Sequence, residues 1–298
     1  MSQPLVLLYS SPEDPVATCG LVRSSKDSDV KAIHIDELLP FFSARPWPEI
    51  LRVEAIPELR QVFAGARIVN RIFNLSHTQT LQYLNEHSID ERWLHIRLRK
   101  ILGIGGSLSY DTGVRGVSRS LLPLNAQWFE IRRILPNLAI PEFTYAFGYE
   151  QADLTALNDP IQKSVWSLFD WKEERHLSID EARRHQFFVE RPKGVPLISY
   201  FLGKDFSAVH FPREAMTIDA ARIDEINHAA RSAFKSECGE LLLYAEGQEL
   251  RFYAFSPYLS SIAATPSFER DLEEWLHSNH ESSPTESDIT DVANRLQH

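Results

Sequence analysis

The sequence predicts a mixed α/β (α+β) protein with two domains and a polar tail. Three observations carry this. Short apolar runs alternate with helix-spaced segments over residues 4–73, which argues for a small, mostly parallel sheet. After Pro136 the pattern changes to strands joined by short turns, which argues for antiparallel hairpins. From His277 onward the chain is rich in Ser, Asn, Asp and Glu and lacks apolar periodicity. The expected boundaries are 1–119, 120–276 and 277–298.

The elements follow in order. Residues 4–9 (PLVLLY) read as a first strand and SSPEDP as a turn cluster. Residues 30–35, 51–55 and 67–73 read as further strands, and Pro57 to Phe63 as a helix with Leu59 and Val62 on one face. Residues 77–102 carry helical spacing with a break expected near Ser88. GIGGSLSYDTGVRG then holds five of the chain's 12 glycines and reads as a loop. Residues 120–135 predict a helix with Leu124, Trp128, Ile131 and Leu135 on one face. Strands are expected at PEFTYAFG, 161–169, 186–190, 195–202 and 205–211, with a Gly203-Lys204 turn between the last two. Residues 217–235 predict a helix that opens at Thr217 and Asp219. Residues 240–246 and 249–255 flank Gly247-Gln248 as a hairpin, and 268–276 is an amphipathic helix.

Composition narrows the function classes. With 298 residues, 43% hydrophobic and 24% charged, the chain has ordinary globular composition and enough length to bury sizeable cores. Cys19 and Cys238 are too few for a disulfide framework, which points to a reducing cytoplasm. MSQPLVLLYSS lacks a basic segment and reads as a strand, not a signal peptide. No apolar run approaches the roughly 18 residues of a membrane span. A net charge of −10 argues against broad nucleic-acid binding, which needs clustered Lys and Arg. The basic pairs Arg132–Arg133 and Arg183–Arg184 read as solvated helix faces.

Order from residue 120 to residue 276 resembles the ATP-grasp superfamily, in particular the branch that ligates carboxylates to amines on peptides. The residues that carry it are Pro141, Phe143 and Thr144 at a strand start and Lys163 on the next strand. Gln186, Phe188 and Val189 follow, then the Gly203-Lys204 hairpin, a helix, a second hairpin and a last helix. The N-terminal α/β segment resembles the pre-ATP-grasp domain. The resemblance implies a two-subdomain clamp that holds ATP. Lys163 would lie on the phosphates, and Gln186, Phe188 and Val189 along the adenine. It also implies an acyl phosphate intermediate attacked by an amine, and a peptide or protein partner. No nucleic acid or membrane partner is implied, and the oligomeric state stays open.

The departures are as informative. Where the family carries Glu-x-Asn as magnesium ligands, this chain has Ala254, Phe255 and Ser256. Where it carries Asp, the run is Leu241-Leu242-Leu243, and Glu240 beside it is expected on the opposite face. An arginine expected before Gly203 falls at Ile198, and no glycine occurs from residue 149 to residue 193, so a glycine-rich lid is missing there. Leu241, Ala254 and Ser256 are thus expected as lost metal-ligand positions. ATP remains a fitting cofactor, while these losses argue against magnesium.

Plainer readings stand beside each of these. Lys163 reads equally well as a strand-end lysine reaching solvent, and Gln186 to Val189 more simply as a buried strand. Arg115 and Arg119 read equally as anion contacts and as surface charges. His277 with His280, and His176 with His185, lack the context of a zinc site. The cysteines lack an evident base, and no GxSxG elbow exists. Of the aromatic cluster Trp166, Phe169, Trp171, Phe187 and Phe188, the two tryptophans are the better surface candidates. Three functions therefore stay open: a peptide ligase, a degenerate relative that binds without catalysing, and an unrelated α/β enzyme.

Overall fold

The structure is a computed structural model. It describes residues 4–43, 57–73, 75–94, 96, 98, 107–108, 122–147, 152–167, 169, 185–211, 216–259 and 266–277. The expected strand 51–55, most of the glycine-rich segment with Arg115 and Arg119, Trp171, His176 and the tail from residue 278 lie outside these. The chain divides into two compact units, Met1–Ser120 with Glu269–His298, and Leu121–Phe268.

In the first unit, β1 (Leu5–Tyr9), β2 (Val30–His34), β3 (Arg67–Arg71) and β4 (Ser107–Leu108) form a parallel sheet of order β2-β1-β3-β4. Central β1 is buried at all five positions, which explains why it reads as one unbroken apolar run. β4 is a difference from the sequence reading, which has only a loop there. Two residues pairing with Arg67 and Ile68 are too few for an alternating pattern to show.

Helix α1 (Pro15–Ser24) starts where Asp14 accepts a hydrogen bond from Ala17 N at 3.0 Å, with Pro15 supplying the fixed φ of a first turn. A 3-10 turn at Ile35–Leu38 leads into α2 (Leu39–Ser43), and α3 (Pro57–Phe63) precedes β3. Helix α4 (Gln79–Glu86) is capped by Thr78, and the chain turns at Ser88, φ 52°. The expected helix 77–102 is thus broken where the sequence places the break. Val6, Leu8, Ile68, Phe63, Leu84 and Leu94 lie together in the core on one side of the sheet.

The other face carries Arg67, Val69 and Arg71, opposite Leu5, Leu7 and Tyr9. Both arginines are buried and partnered. Arg71 meets the Asp14 carboxylate through Nε at 2.9 Å and through Nη2. Arg67 donates to the Trp275 carbonyl at 3.1 Å and lies over its ring. Trp275 belongs to α7 (Pro266–His277), whose amphipathic pattern was legible in the sequence.

The second unit holds helix α5 (Leu124–Ile134) and two antiparallel sheets. The smaller sheet orders β5 (Phe143–Phe147), β7 (His185–Glu190) and β6 (Pro160–Gln162) as β5-β7-β6. The expected strand 161–169 stops after Gln162. Ser164 Oγ accepts from Trp166 N at 3.2 Å, and this local turn competes with the ladder. Trp166 is 55% exposed, as expected for a surface tryptophan, whereas Phe187 is buried.

The larger sheet orders β8 (Val195–Leu202), β9 (Phe206–His210), β10 (Cys238–Glu246) and β11 (Glu249–Ser256) as β11-β10-β8-β9. Helix α6 (Ala220–Phe234) covers one face. Asp219 caps it, and Phe234 stacks on Phe255 at 4.4 Å. Edge strand β11 is closed by α5. Gln127 accepts from Phe255 N at 2.7 Å and donates to Phe255 O at 3.2 Å, and Trp128 Nε1 donates to Tyr253 O at 2.9 Å. Phe252 N donates to Ala139 O at 2.8 Å. Helix side chains thus take the place of a neighbouring strand. Among the described residues no helix is long and apolar enough to cross a membrane.

Candidate functional site

Alternation of side chains sorts the site residues. On β7, Phe187 and Val189 pair with Tyr145 and Phe143. Phe187 and Phe143 both pack on Trp128 of α5. Gln186 and Phe188 turn to the opposite face. The four nucleotide candidates therefore do not form one surface. Gln186 and Phe188 share a side, and Val189 is fully buried on the other. Gln186 accepts from Ala152 N at 3.3 Å.

Lys163 follows β6, and its N–H donates to Phe187 O at 3.0 Å. At 2% exposure it is not a strand-end lysine reaching solvent. A lysine held this far from water is an unusual commitment for a scaffold.

On the larger sheet, β10 and β11 pair Glu240 with Ser256, Leu241 with Phe255 and Leu242 with Ala254. The rows continue across β8, from Glu240 to Tyr200, from Leu241 to Ser199 and from Leu242 to Ile198. Ser199 and Phe255 face α6, through Asn227 and Phe234. Leu241 belongs to that face. Glu240, Leu242, Ala254, Ser256, Tyr200 and Ile198 belong to the other.

The structure thus brings Ala254 and Ser256 together with Glu240 and separates Leu241 from them. The cause is a bulge. A hairpin running unbroken from its Glu246–Glu249 pair would set Leu241 opposite Ala254. A register shift between Leu242 and Leu243 moves the pairing by one residue. The sequence reading had put Glu240 and Leu241 on opposite faces, which holds, but had given the ligand face to Leu241. Nothing local in the sequence marks the extra residue.

The donors on the Glu240 face are a poor set for magnesium. Glu240 is 1% exposed and is the one carboxylate in these rows. The Ser256 hydroxyl is engaged with the chain beyond it, accepting from Tyr258 N at 3.1 Å and donating to Tyr258 O at 3.3 Å. Ala254, Leu242 and Ile198 supply no oxygen from their side chains. Magnesium asks for near-octahedral oxygen ligands, usually with one or two carboxylates. Among the described side chains of these rows, Glu240 alone supplies a carboxylate towards such a set.

The cysteines are far from nucleophilic. Both are free, and Cys238 is fully buried. Burial, with the Glu273 carboxylate adding to it, pushes the Cys19 thiol up to about 11. Beyond β7 an open cleft of about 420 Å³ is lined by Arg132, Ala139, Glu142, Glu190 and Arg251. Its charges are partly matched, since Glu190 meets Lys193 at 2.8 Å and Arg251 at 3.5 Å.

Neither a family model nor a curated protein matches the sequence. Solved structures do match the fold. The ATP-grasp ligase PsnB complexed with precursor peptide PsnA2 and AMPPNP superposes with a TM-score of 0.57 at 12% identity, covering 93% of this chain and 98% of that one. PsnB with minimal precursor, Mg and ADP gives 0.56 at 12% identity, covering 92% and 98%. PsnB with minimal precursor alone gives 0.53 at 13% identity, covering 94% and 100%. An α/β unit followed by paired antiparallel sheets, matched over this much of the chain, is the fold of the ATP-grasp ligases.

Proposed function

We propose that this chain is a divergent relative of the ATP-dependent carboxylate–amine ligases, one that binds a peptide or protein partner and in which metal-dependent catalysis is impaired. The observation that carries this is the face shared by Glu240, Leu242, Ala254 and Ser256, with one carboxylate and one engaged hydroxyl. Phosphoryl transfer depends on metal ions that neutralise charge on the transferring group. One carboxylate is a weak anchor for such an ion. Nucleotide binding without the metal is supported by buried Lys163, which the register sets across from Phe187, on the other face from Gln186 and Phe188. A peptide partner is supported by the likeness to PsnB, whose structures contain precursor peptides. Two free thiols fit a reducing, cytoplasmic setting.

Thermal unfolding with ATP, AMPPNP and ADP, each with and without magnesium, tests the reading. Nucleotide at 100 times its Kd stabilises by about 2.7 kcal/mol. The expected result is a shift independent of magnesium, with no ATP turnover in the presence of peptide. A magnesium-dependent shift together with turnover overturns it. The double variant Ala254→Glu with Ser256→Asn should gain magnesium dependence.

A second reading rests on Glu240. Its position on the ligand face favours a ligase that keeps one carboxylate and takes further oxygens from elsewhere. Glu240→Gln would then abolish a magnesium-dependent shift seen in the parent protein.

A further inference from the structure

The Glu240 face of the larger sheet is closed to solvent. None of Ile198, Tyr200, Glu240, Leu242, Ala254 and Ser256 is more than 5% exposed. A face that takes up a nucleotide or an ion from solution has to be reachable from it. As it stands, this face is not.

The cover can be followed along one row. Ser256, Glu240 and Tyr200 lie side by side across β11, β10 and β8. At the β11 end the chain turns back on Ser256, whose hydroxyl meets both Tyr258 N and Tyr258 O. Leu259, the next residue, is fully buried. At the β8 end the ring of Phe268 meets Tyr200 edge-on, with centroids 5.4 Å apart and planes at 87°. Phe268 is itself buried. Tyr258 and Phe268 both follow β11 in the chain, one at each end of the row, and Glu240 lies between those ends. All of these residues belong to the second unit.

The two ends are held differently. Tyr258 is tied to Ser256 by hydrogen bonds. Phe268 contributes a ring contact and is the third residue of α7. Helix ends open at much lower free energy than the strands of a core. The Phe268 end is therefore the one that can lift while the sheet stays intact.

We propose that Phe268 is a built-in cover, an autoinhibitory contact that keeps the Glu240 face shut until the first turn of α7 lifts. This rests on the ligase-related reading of that face. Nucleotide then binds only the open fraction of molecules, and its apparent Kd is the intrinsic Kd divided by that fraction. A cover shut in about nine molecules of ten weakens binding about tenfold.

The test uses the full-length protein and two readouts. Carboxylates are coupled to an amine with a water-soluble carbodiimide, and the modified sites are read by mass spectrometry. Glu246, exposed on the same strand, serves as the internal standard. Glu240 should react far more slowly than Glu246 in the parent protein and about tenfold faster in Phe268→Ala. ATP affinity by calorimetry should tighten about tenfold in the same variant. Phe268→Leu keeps an apolar side chain and carries the test should Phe268→Ala fail to fold by circular dichroism. The proposal is overturned if Glu240 in the parent reacts as fast as Glu246, or if a folded variant leaves Glu240 as slow as in the parent. It is equally overturned if ATP binds parent and variant with the same affinity. ATP binding to neither protein, with Glu240 opened by the variant, refutes the ligase-related reading and leaves the cover standing, so the two failures are distinct.

Discussion

Gln127 is the side chain on which the edge of β11 depends, and removing its amide is the sharpest test of that packing. Gln127→Leu keeps the volume and deletes three hydrogen bonds, those to Leu122 O at 2.9 Å, Phe255 O at 3.2 Å and Phe255 N at 2.7 Å. Phe255 is buried, so water does not replace them. Each buried backbone group left unpaired costs about 1–3 kcal/mol, and Phe255 has two, giving about 2–6 kcal/mol. A chain of two units need not unfold in one step, so local exchange is the cleaner readout. Hydrogen exchange of the Phe255 amide should accelerate at least about 30-fold, the factor for 2 kcal/mol. Exchange within about threefold of the parent protein would refute the reasoning.

Gln127→Glu adds a sign test. One carboxyl oxygen still accepts from Phe255 N, but the other faces two carbonyls and must keep its proton to donate. The folded carboxyl is therefore raised above its unfolded value near 4.3. Such a group is neutral in both states below about pH 4, and the variant should be well tolerated there. Above that pH the unfolded chain ionises first, so stability should fall as pH rises towards 7.

Three further outcomes are expected. Asp14→Ala removes the carboxylate partner of buried Arg71 and the cap of α1 together. It should destabilise the first unit by about 3–5 kcal/mol in thermal melts, and Arg71→Met in the same chain should recover part of that. Gly65 and Gly194 both have positive φ, 73° and 85°, but a Cβ at Gly65 meets open space whereas one at Gly194 sits 2.1 Å from Ala245 O. Gly65→Ala should cost about 1–2 kcal/mol and Gly194→Ala distinctly more, read by urea titration. Cys19, its thiol raised from 9.0 to about 11, should resist iodoacetamide at pH 8 and react as pH approaches 11. The neutral thiol's contribution to folding is fully present below pH 9 and is lost as pH climbs through about 11.

Much of the fold was legible because it is written in local pattern. Pro57–Phe63 and Val195–Leu202 fall where the periodicity puts them, and the second hairpin turns at Gly247 as its flanking runs imply. The site was less legible because its geometry depends on events without local signature. One extra residue in the β10–β11 ladder decides whether Glu240 or Leu241 joins Ala254 and Ser256. Arg67 and Arg71 fall in the expected strand 67–73, whose pattern does not say where its arginines go. They are buried because their partners, Trp275 and Asp14, lie 208 and 57 positions away. Helical spacing had marked Trp128 as a core residue, but neither its bond to Tyr253 nor the role of Gln127 follows from periodicity.

The closed margin of β11 gives the larger sheet a direction of growth. Strand order leaves β9 as its other outer strand. An incoming extended segment does not pair with β11 there, since the outward groups of Phe252, Tyr253 and Phe255 are already spoken for. A ribbon that grows without limit needs two open margins per copy, and α5 closes one of this sheet's two.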